Sequence, residues 1–218
     1  MISTRDLSRL PDISSLKALM QSLAMLDSIL MNDWEYRYYS FDSNWNQNSA
    51  VASMRNGEGD ELFAMFMPFG AVLKGFAHES VMSPYRVNPP NVWRGVLDNV
   101  PSAFAEFLSE PAFSPLDTTF CIWRMRDDYV WQRGNVGYPD EKDPDGSESL
   151  LAILDGKPET YQIWAEEYYN QAINFAAVKQ IYEHQPLTEE LVTFINGNAA
   201  IENVLKEAVV IGYPKSGG

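Results

Sequence analysis

The sequence is poor in the residues that most often build metal sites and hydrolytic centres. Its 218 residues include one cysteine, Cys121, and only two histidines, His78 and His184. One thiol and two imidazoles supply too few nitrogen and sulfur ligands for zinc, and no Gly-x-Ser-x-Gly motif marks a hydrolase nucleophile. We therefore assign no catalytic residue and no metal ligand, and we expect no cofactor.

The scarcity of cysteine also bears on the compartment. Cys121 cannot form a disulfide within the chain, whereas secreted domains of this size usually contain paired cysteines. The first residues lack the basic region followed by an apolar core that a secretory signal requires. We expect a cytoplasmic protein.

Long apolar runs are absent as well. The most apolar early stretch, residues 16–31, is interrupted by Lys17, Gln21 and Asp27. It falls short of the roughly 20 apolar residues that a helix needs to cross a bilayer. The sequence therefore predicts no membrane span and no membrane partner.

Positive charge is in short supply. The chain has 16 lysines and arginines but 30 acidic residues, which gives a formal net charge of −14 and a pI near 4.5. Phosphate backbones repel such a chain, so we do not expect it to bind nucleic acid. The excess of acidic over basic residues is strongest after residue 138, where 14 acidic residues are accompanied by only five lysines.

Apolar residues, by contrast, are abundant. They make up 45% of the chain, and aromatic residues make up 13%. This content is enough to bury a core, and the length is compatible with one domain. We predict a single α+β domain over residues 1–218, with a sheet-rich part at 1–138 and an acidic helical part at 139–218.

The periodicity of apolar residues predicts the order of the elements. Between Leu16 and Leu30 they recur at steps of three or four, which is typical of an amphipathic helix that Ser14 or Ser15 can cap. The glycine-rich segment 56–60 predicts a β-hairpin between two strands. Strands are predicted at residues 34–41, 50–55, 61–67, 71–76, 118–126 and 129–132.

Helical patterns dominate the rest of the chain. Thr188 is a suitable N-cap for one of these helices. The predicted helices are residues 103–108, 150–154, 161–169, 176–182, 188–195 and 201–210. The fold class is therefore α+β, with an N-terminal helix, a mainly antiparallel sheet built from hairpins, and a helical C-terminal third packed on it.

The acidic loop that begins at Glu141 allows two interpretations. Glu141, Asp143 and Asp145 alternate before Gly146, as in a loop that wraps calcium. The twelfth position of such a loop should be a bidentate glutamate, but it is Ala152. The alternative is an acidic turn exposed to solvent, and the sequence leaves open whether the loop holds a cation.

Three segments resemble known families. Trp-Glu-Tyr-Arg-Tyr-Tyr-Ser-Phe-Asp-Ser-x-Trp at 34–45 and Ala-Ser-Met-Arg-Asn-Gly-x-Gly-Asp-Glu at 52–61 resemble a family of uncharacterised bacterial proteins, which implies no activity. Residues 100–108 contain Pro-x-x-Phe-x-x-Phe-Leu and are similar to a helix of SUKH-type immunity proteins. Those proteins are acidic, cytoplasmic α+β modules that neutralise toxins, so this resemblance implies a toxin-binding role.

Our first hypothesis is a non-enzymatic binding or immunity-type protein whose acidic surface binds a basic protein partner. Charge complementarity steers and orients such partners. Two tryptophans in polar or proline-rich loops, Trp45 and Trp93, are further candidates for the contact. The acidic residues expected to carry the contact are Asp140, Glu141, Asp143, Asp145 and Glu148.

The second hypothesis is a small-molecule enzyme with its site in the loop region 78–95. Long ordered loops between regular elements often hold functional residues. The pocket would include Arg55, His78, Tyr85 and Trp93. A lone histidine at the end of a strand is more often structural, and we therefore favour the first hypothesis.

Overall fold

A six-stranded antiparallel sheet lies at the centre of the structure, a computed structural model that describes residues 1–215. Its strands lie side by side in sequence order, and every neighbouring pair is antiparallel. The strands are β1 (Tyr39–Asn46), β2 (Ser49–Arg55), β3 (Glu61–Met67), β4 (Gly70–Phe76), β5 (Phe120–Met125) and β6 (Gln132–Arg133). The predicted sheet built from hairpins is confirmed.

The hairpin between β2 and β3 forms where the glycines indicated. Gly57 and Gly59 have positive φ angles of 74° and 110°, which glycine adopts without strain. The side chain of Asn56 accepts hydrogen bonds from the backbone N–H groups of Glu58 and Asp60 at 2.8 and 3.0 Å. This turn aligns Arg55 opposite Glu61.

Seven α-helices are present in the described residues: one before the sheet, one between β4 and β5, and five after the sheet. Four helices of the last third, α4–α7, pack with α1 in the larger hydrophobic core on one face of the sheet. The helices are α1 (Ile13–Leu30), α2 (Ala105–Ser109), α3 (Ser147–Leu150), α4 (Pro158–Tyr168), α5 (Phe175–Tyr182), α6 (Glu189–Ile195) and α7 (Ile201–Ile211). The predicted N-terminal helix and helical C-terminal third are confirmed.

The two faces of the sheet bury separate cores. On β3, Leu62, Ala64 and Phe66 belong to the core that α1 covers, whereas Phe63 and Met65 belong to the second core. The second core is covered by the long segment between β4 and β5, which contributes three buried phenylalanines: Phe104, Phe107 and Phe113. Because both faces of β3 are buried, its sequence is apolar at nearly every position.

Two local predictions need correction. The N-cap of α1 is Asp12 and not Ser14 or Ser15, because the Asp12 carboxylate accepts from the backbone N–H of Ser15 at 3.0 Å. Residues Trp34–Tyr36 form a 3-10 turn, so the strand predicted at 34–41 begins only at β1.

The last predicted strand is also shorter than expected. The segment predicted at 129–132 contributes only the start of β6, which is two residues long.

Within residues 1–215, no helix has both the length and the apolar character needed to cross a membrane. That the chain forms one domain stays a prediction.

Candidate functional site

A groove lined by aromatic side chains follows β1 at the edge of the sheet. It consists of two adjoining concavities of about 310 and 250 Å³, near the lower end of the size range of ligand pockets. Tyr36 and Tyr168 line one concavity, and Trp45 and Phe113 line the other. Both are lined by Trp34, Arg37, Ser40, Ser53 and Arg55, and we call the whole feature the aromatic groove.

Both longer motifs of the sequence meet in this groove. The motif at 34–45 supplies its two tryptophans, and the motif at 52–61 supplies Ser53 and Arg55. Antiparallel pairing of β1 with β2 places Ser40 opposite Ser53, and their hydroxyl oxygens lie 2.7 Å apart. Two segments that are separate in sequence therefore form one surface.

Three aromatic side chains of the groove are unusually open to solvent. Trp34 is 57% exposed, Tyr36 62% and Trp45 40%. Large exposed aromatic residues grouped around a concavity are typical of binding sites, since most such side chains are buried elsewhere. Trp45, predicted as a binding residue, thus lies in the groove.

A buried carboxylate holds the chain that enters the groove. Asp27 of α1 is fully buried, and its Oδ2 accepts from the backbone N–H groups of Tyr38 and Tyr39 at 2.9 and 2.7 Å. Its Oδ1 accepts from the Tyr161 hydroxyl at 2.7 Å. Burial raises the pKa of Asp27 to about 6, although these hydrogen bonds oppose the rise. The turn that displays Trp34 is therefore fixed from the interior.

A buried lysine supports the other end of the groove. Lys74 of β4 is enclosed in the second core, and its Nζ donates to the carbonyl oxygens of Ser114 and Asp117 at 2.8 and 2.7 Å. These bonds hold the segment that carries Phe113, whose ring lies 5.4 Å from that of Trp45. Burial lowers the pKa of Lys74 to about 8.

The aromatic wall continues into the helical part. The ring of Tyr38 lies 4.7 Å from Trp164 and 5.3 Å from Tyr168, both on α4. Trp164 and Tyr168 stack at 5.1 Å with an interplanar angle of 16°. Because Tyr168 lines the groove, α4 contributes to it although its sequence gave no such indication.

The charge of the groove is negative. Arg37 is paired with Glu207 at 3.1 Å, and Arg55 lies 3.8 Å from Glu61. Four carboxylates in or beside the groove have no basic ion-pair partner among residues 1–215: Asp33, Glu35, Asp42 and Glu58. A positively charged group entering the groove would therefore meet uncompensated carboxylates.

The acidic segment predicted to contact a partner is partly structural. Asp140 and Glu141 are exposed, and Glu148 lies 3.8 Å from Lys142. Asp143 accepts from the backbone N–H groups of Glu148 and Ser149, so it satisfies donors at the start of α3. Of the five acidic residues in this segment, only Asp140 and Glu141 are exposed.

Asp145 is a correction to the predicted contact surface. It is buried, and its carboxylate accepts hydrogen bonds from the Thr4 hydroxyl and the Ser147 backbone N–H. The Asp143 and Asp145 carboxylates therefore accept hydrogen bonds from different backbone groups and are not arranged around one cation site. Within the described part of the chain, no group of three acidic, histidine or cysteine residues is arranged to hold a metal ion.

The alternative pocket is not assembled. His78 lies 2.8 Å from Asp60 through Nδ1, and this hydrogen bond raises the pKa of its imidazole. Tyr85 donates to Asp117 at 2.6 Å, and Arg55 lies in the aromatic groove. No hydrogen bond, ion pair or ring contact within residues 1–215 joins any two of Arg55, His78, Tyr85 and Trp93.

Trp93 has a structural environment. Its indole N–H donates to the carbonyl oxygen of Gly137 at 3.1 Å, and its ring packs against the second core. This hydrogen bond joins the proline-rich loop to the segment after β6. Trp93 therefore lies outside the aromatic groove, unlike Trp45.

Comparison with known proteins yields no match to a family model, to a curated protein or to a solved structure. The resemblances noted in the sequence therefore stay predictions, and the candidate site depends on its geometry alone.

Sequence reasoning missed most of the groove for one reason. The strand predicted over 34–41 implied a half-buried aromatic segment within the sheet, whereas Trp34–Tyr36 form a 3-10 turn outside the sheet, with Trp34 and Tyr36 exposed. The signal that could have revealed it was Asn32-Asp33, whose turn preference continues into the motif.

Proposed function

We propose that the chain is a non-enzymatic binding protein of the immunity type, which acts in the cytoplasm and binds a basic protein partner. The aromatic groove would receive a segment of that partner. The exposed Trp34, Tyr36 and Trp45 along the two adjoining concavities of the groove carry this proposal.

The chemistry of the groove favours a segment that bears arginine or lysine. Exposed tryptophan and tyrosine rings attract cations through their faces, most strongly when the cation is partly removed from water. The carboxylates of Glu35 and Asp42 line the two adjoining concavities, one in each, and have no basic ion-pair partner among the described residues. An arginine side chain would satisfy both preferences at once.

The overall charge adds attraction at longer range. A net charge of −14 draws a basic partner towards the surface, and exposed Asp140 and Glu141 contribute to that field. A nuclease toxin, which must itself be basic to bind nucleic acid, is the class of partner that this charge fits. We do not expect nucleic acid itself to bind.

The test measures binding of two fluorescent peptides to the full chain. One contains several arginines and a tryptophan, and the other replaces each arginine with glutamate. We expect only the basic peptide to bind, with an affinity that falls as salt is added. Trp34→Ala and Trp45→Ala should each weaken binding by about tenfold or more, as truncation of a central aromatic contact does.

Matched controls separate the groove from general attraction. Tyr129→Ala removes another highly exposed aromatic side chain away from the groove and should leave binding unchanged. Glu35→Lys should weaken binding more than Glu190→Lys, which makes the same charge change on α6. The proposal fails if neither peptide binds, if binding ignores salt, or if the groove variants behave like their controls.

A further inference from the structure

A second concavity has the opposite charge. It has a volume of about 660 Å³ and lies where the start of α1 meets the ends of the central strands. Three cationic side chains line it: Lys17 of α1, Arg124 of β5 and Arg126 just after β5. We call it the basic cavity, and its volume falls within the range of small-molecule sites.

The positions of the two arginines follow from the sheet. Residues two apart on a strand point to the same face, and Ile122 of β5 belongs to the core that α1 covers, so Arg124 is on that face. Arg126, just after β5, lines the same cavity. The backbone N–H of Arg126 donates to the carbonyl oxygen of Phe69 at 2.8 Å, which extends the pairing beyond the end of β5. Lys17 approaches the same space from α1.

The cations of this cavity are not paired. Arg124 uses its Nε to donate to the Asp128 carbonyl oxygen at 3.0 Å. Its terminal nitrogens and the head groups of Lys17 and Arg126 make no hydrogen bond or ion pair with the described residues. The positive charges of these three side chains are therefore available to an anion that enters the cavity.

One carboxylate lines the cavity in the described part of the chain, that of Asp12. Hydrogen bonds from Ser14 and Ser15 hold its pKa at about 2, so it is charged, and it already satisfies the N-terminus of α1. The net charge of the side chains that line the cavity is therefore +2. This is the charge that a phosphate monoester dianion neutralises near pH 7.

We propose that the basic cavity binds a small organic molecule that carries a phosphate monoester. The two guanidinium groups suit the oxygens of a phosphate, because arginine donates paired parallel hydrogen bonds. The cavity is much larger than a phosphate ion, and the apolar side chains of Ile13, Phe66 and Pro68 offer a surface for the organic part. A nucleotide and a sugar phosphate share this chemistry.

Calorimetric titration of the full chain distinguishes a nucleotide ligand from a sugar phosphate ligand. The probes are AMP, glucose 6-phosphate and inorganic phosphate, with adenosine, glucose and citrate as controls at matched ionic strength. We expect saturable binding of at least one organic phosphate, tighter than that of inorganic phosphate. AMP binding without glucose 6-phosphate binding identifies a nucleotide site, and the reverse result identifies a sugar phosphate site.

Variants test the cavity itself. Lys17→Gln and Arg126→Gln should each weaken the binding by about tenfold, the effect of losing one charge-assisted hydrogen bond. Arg94→Gln removes an equal charge from an exposed residue outside the cavity and should have no effect. Because neither Lys17 nor Arg126 makes a side-chain hydrogen bond in the described structure, these variants should fold normally.

Three results would overturn the proposal. The first is the absence of saturable binding of either organic phosphate to the wild-type chain. The second is citrate binding as tightly as the phosphates, which would indicate a general anion surface. The third is equal weakening by Arg94→Gln and by the two cavity variants. None of these results bears on the aromatic groove, which has its own variants.

Discussion

The carboxylate of Asp27 and the hydroxyl of Tyr161 form a 2.7 Å hydrogen bond across 134 positions of sequence. Both side chains are fully buried, and the bond joins α1 to α4 beneath the aromatic groove. The other carboxylate oxygen of Asp27 accepts from two backbone N–H groups at the start of β1. One side chain thereby connects the first helix, the edge strand and the helical third.

Removing this carboxylate should destabilise the whole fold. Asp27→Ala leaves two backbone donors and one hydroxyl unpaired in the interior, which we expect to cost about 3–5 kcal/mol of unfolding free energy. Asp27→Asn should cost less, because its amide oxygen still accepts from the backbone and its NH₂ group can donate to Tyr161. Urea unfolding at pH 7 measures both.

The control for Asp27 is Asp33→Ala. The side chain of Asp33 is exposed and makes no capping hydrogen bond, so its loss should change stability by less than about 0.5 kcal/mol. If Asp27→Ala were as mild as this control, the anchoring role of Asp27 would be wrong.

The same residue should make stability depend on pH in the acid range. Burial raises the pKa of Asp27 from 3.8 to about 6 in the folded chain. Between these values the folded state holds a proton that the unfolded state has released, so stability falls as the pH rises through this window. The contribution amounts to roughly 2–3 kcal/mol by linkage.

The measurement is the difference in unfolding free energy between the wild type and Asp27→Asn at pH 4, 5 and 6. Other titrating groups are common to both chains and cancel in this difference. We expect the wild type to lose stability relative to the variant across the series, and a difference that stays flat would contradict the raised pKa.

Local patterns predicted the elements because their causes are local. The three-and-four spacing in α1 and the glycines after Arg55 specify a helix and a hairpin from neighbouring residues alone. Asp27, by contrast, appeared in the sequence only as an interruption of an apolar helix. Its meaning depends on Tyr161, which no periodicity connects to it.

Only part of the groove could be predicted, because residue type is visible in the sequence and contacts between distant residues are not. Trp45 and Arg55 stood out by residue type and both lie in it, whereas Trp34 was assigned to a strand. The acidic loop shows the reverse error, because composition could not distinguish exposed Glu141 from buried Asp145. Burial of a polar residue depends on distant partners, here the Thr4 hydroxyl.

Two nearby glycines provide a matched test of close packing after β6. A Cβ on Gly134 would lie 1.9 Å from the carbonyl oxygen of Gly95, a backbone atom that cannot move aside alone. At Gly137 a Cβ would meet nothing within 4 Å. Gly134→Ala should therefore destabilise the chain by about 2 kcal/mol or more, as overpacking does, and Gly137→Ala should be nearly neutral. Thermal unfolding compares the two, and similar melting temperatures would refute the close approach.

Lys74 offers a test that joins the second core to the groove. Lys74→Met keeps much of the apolar stem but leaves the carbonyl oxygens of Ser114 and Asp117 without their buried donor. We expect a loss of about 1–3 kcal/mol at pH 7. Because Phe113 precedes Ser114, the variant should also loosen the wall against Trp45 and weaken binding in the groove.

The contribution of Lys74 to the pH dependence of stability has the opposite sign from that of Asp27. Burial lowers the pKa of Lys74 from 10.5 to about 8, so between these values the unfolded chain binds a proton that the folded chain has released. Raising the pH from 8 to 9.5 should therefore stabilise the wild type relative to Lys74→Met by about 2 kcal/mol. Urea unfolding of both chains measures this difference, in which the shared tyrosines cancel. A difference that stays constant or shrinks would mean that the amine keeps its ordinary pKa, and its burial in the second core would then be wrong.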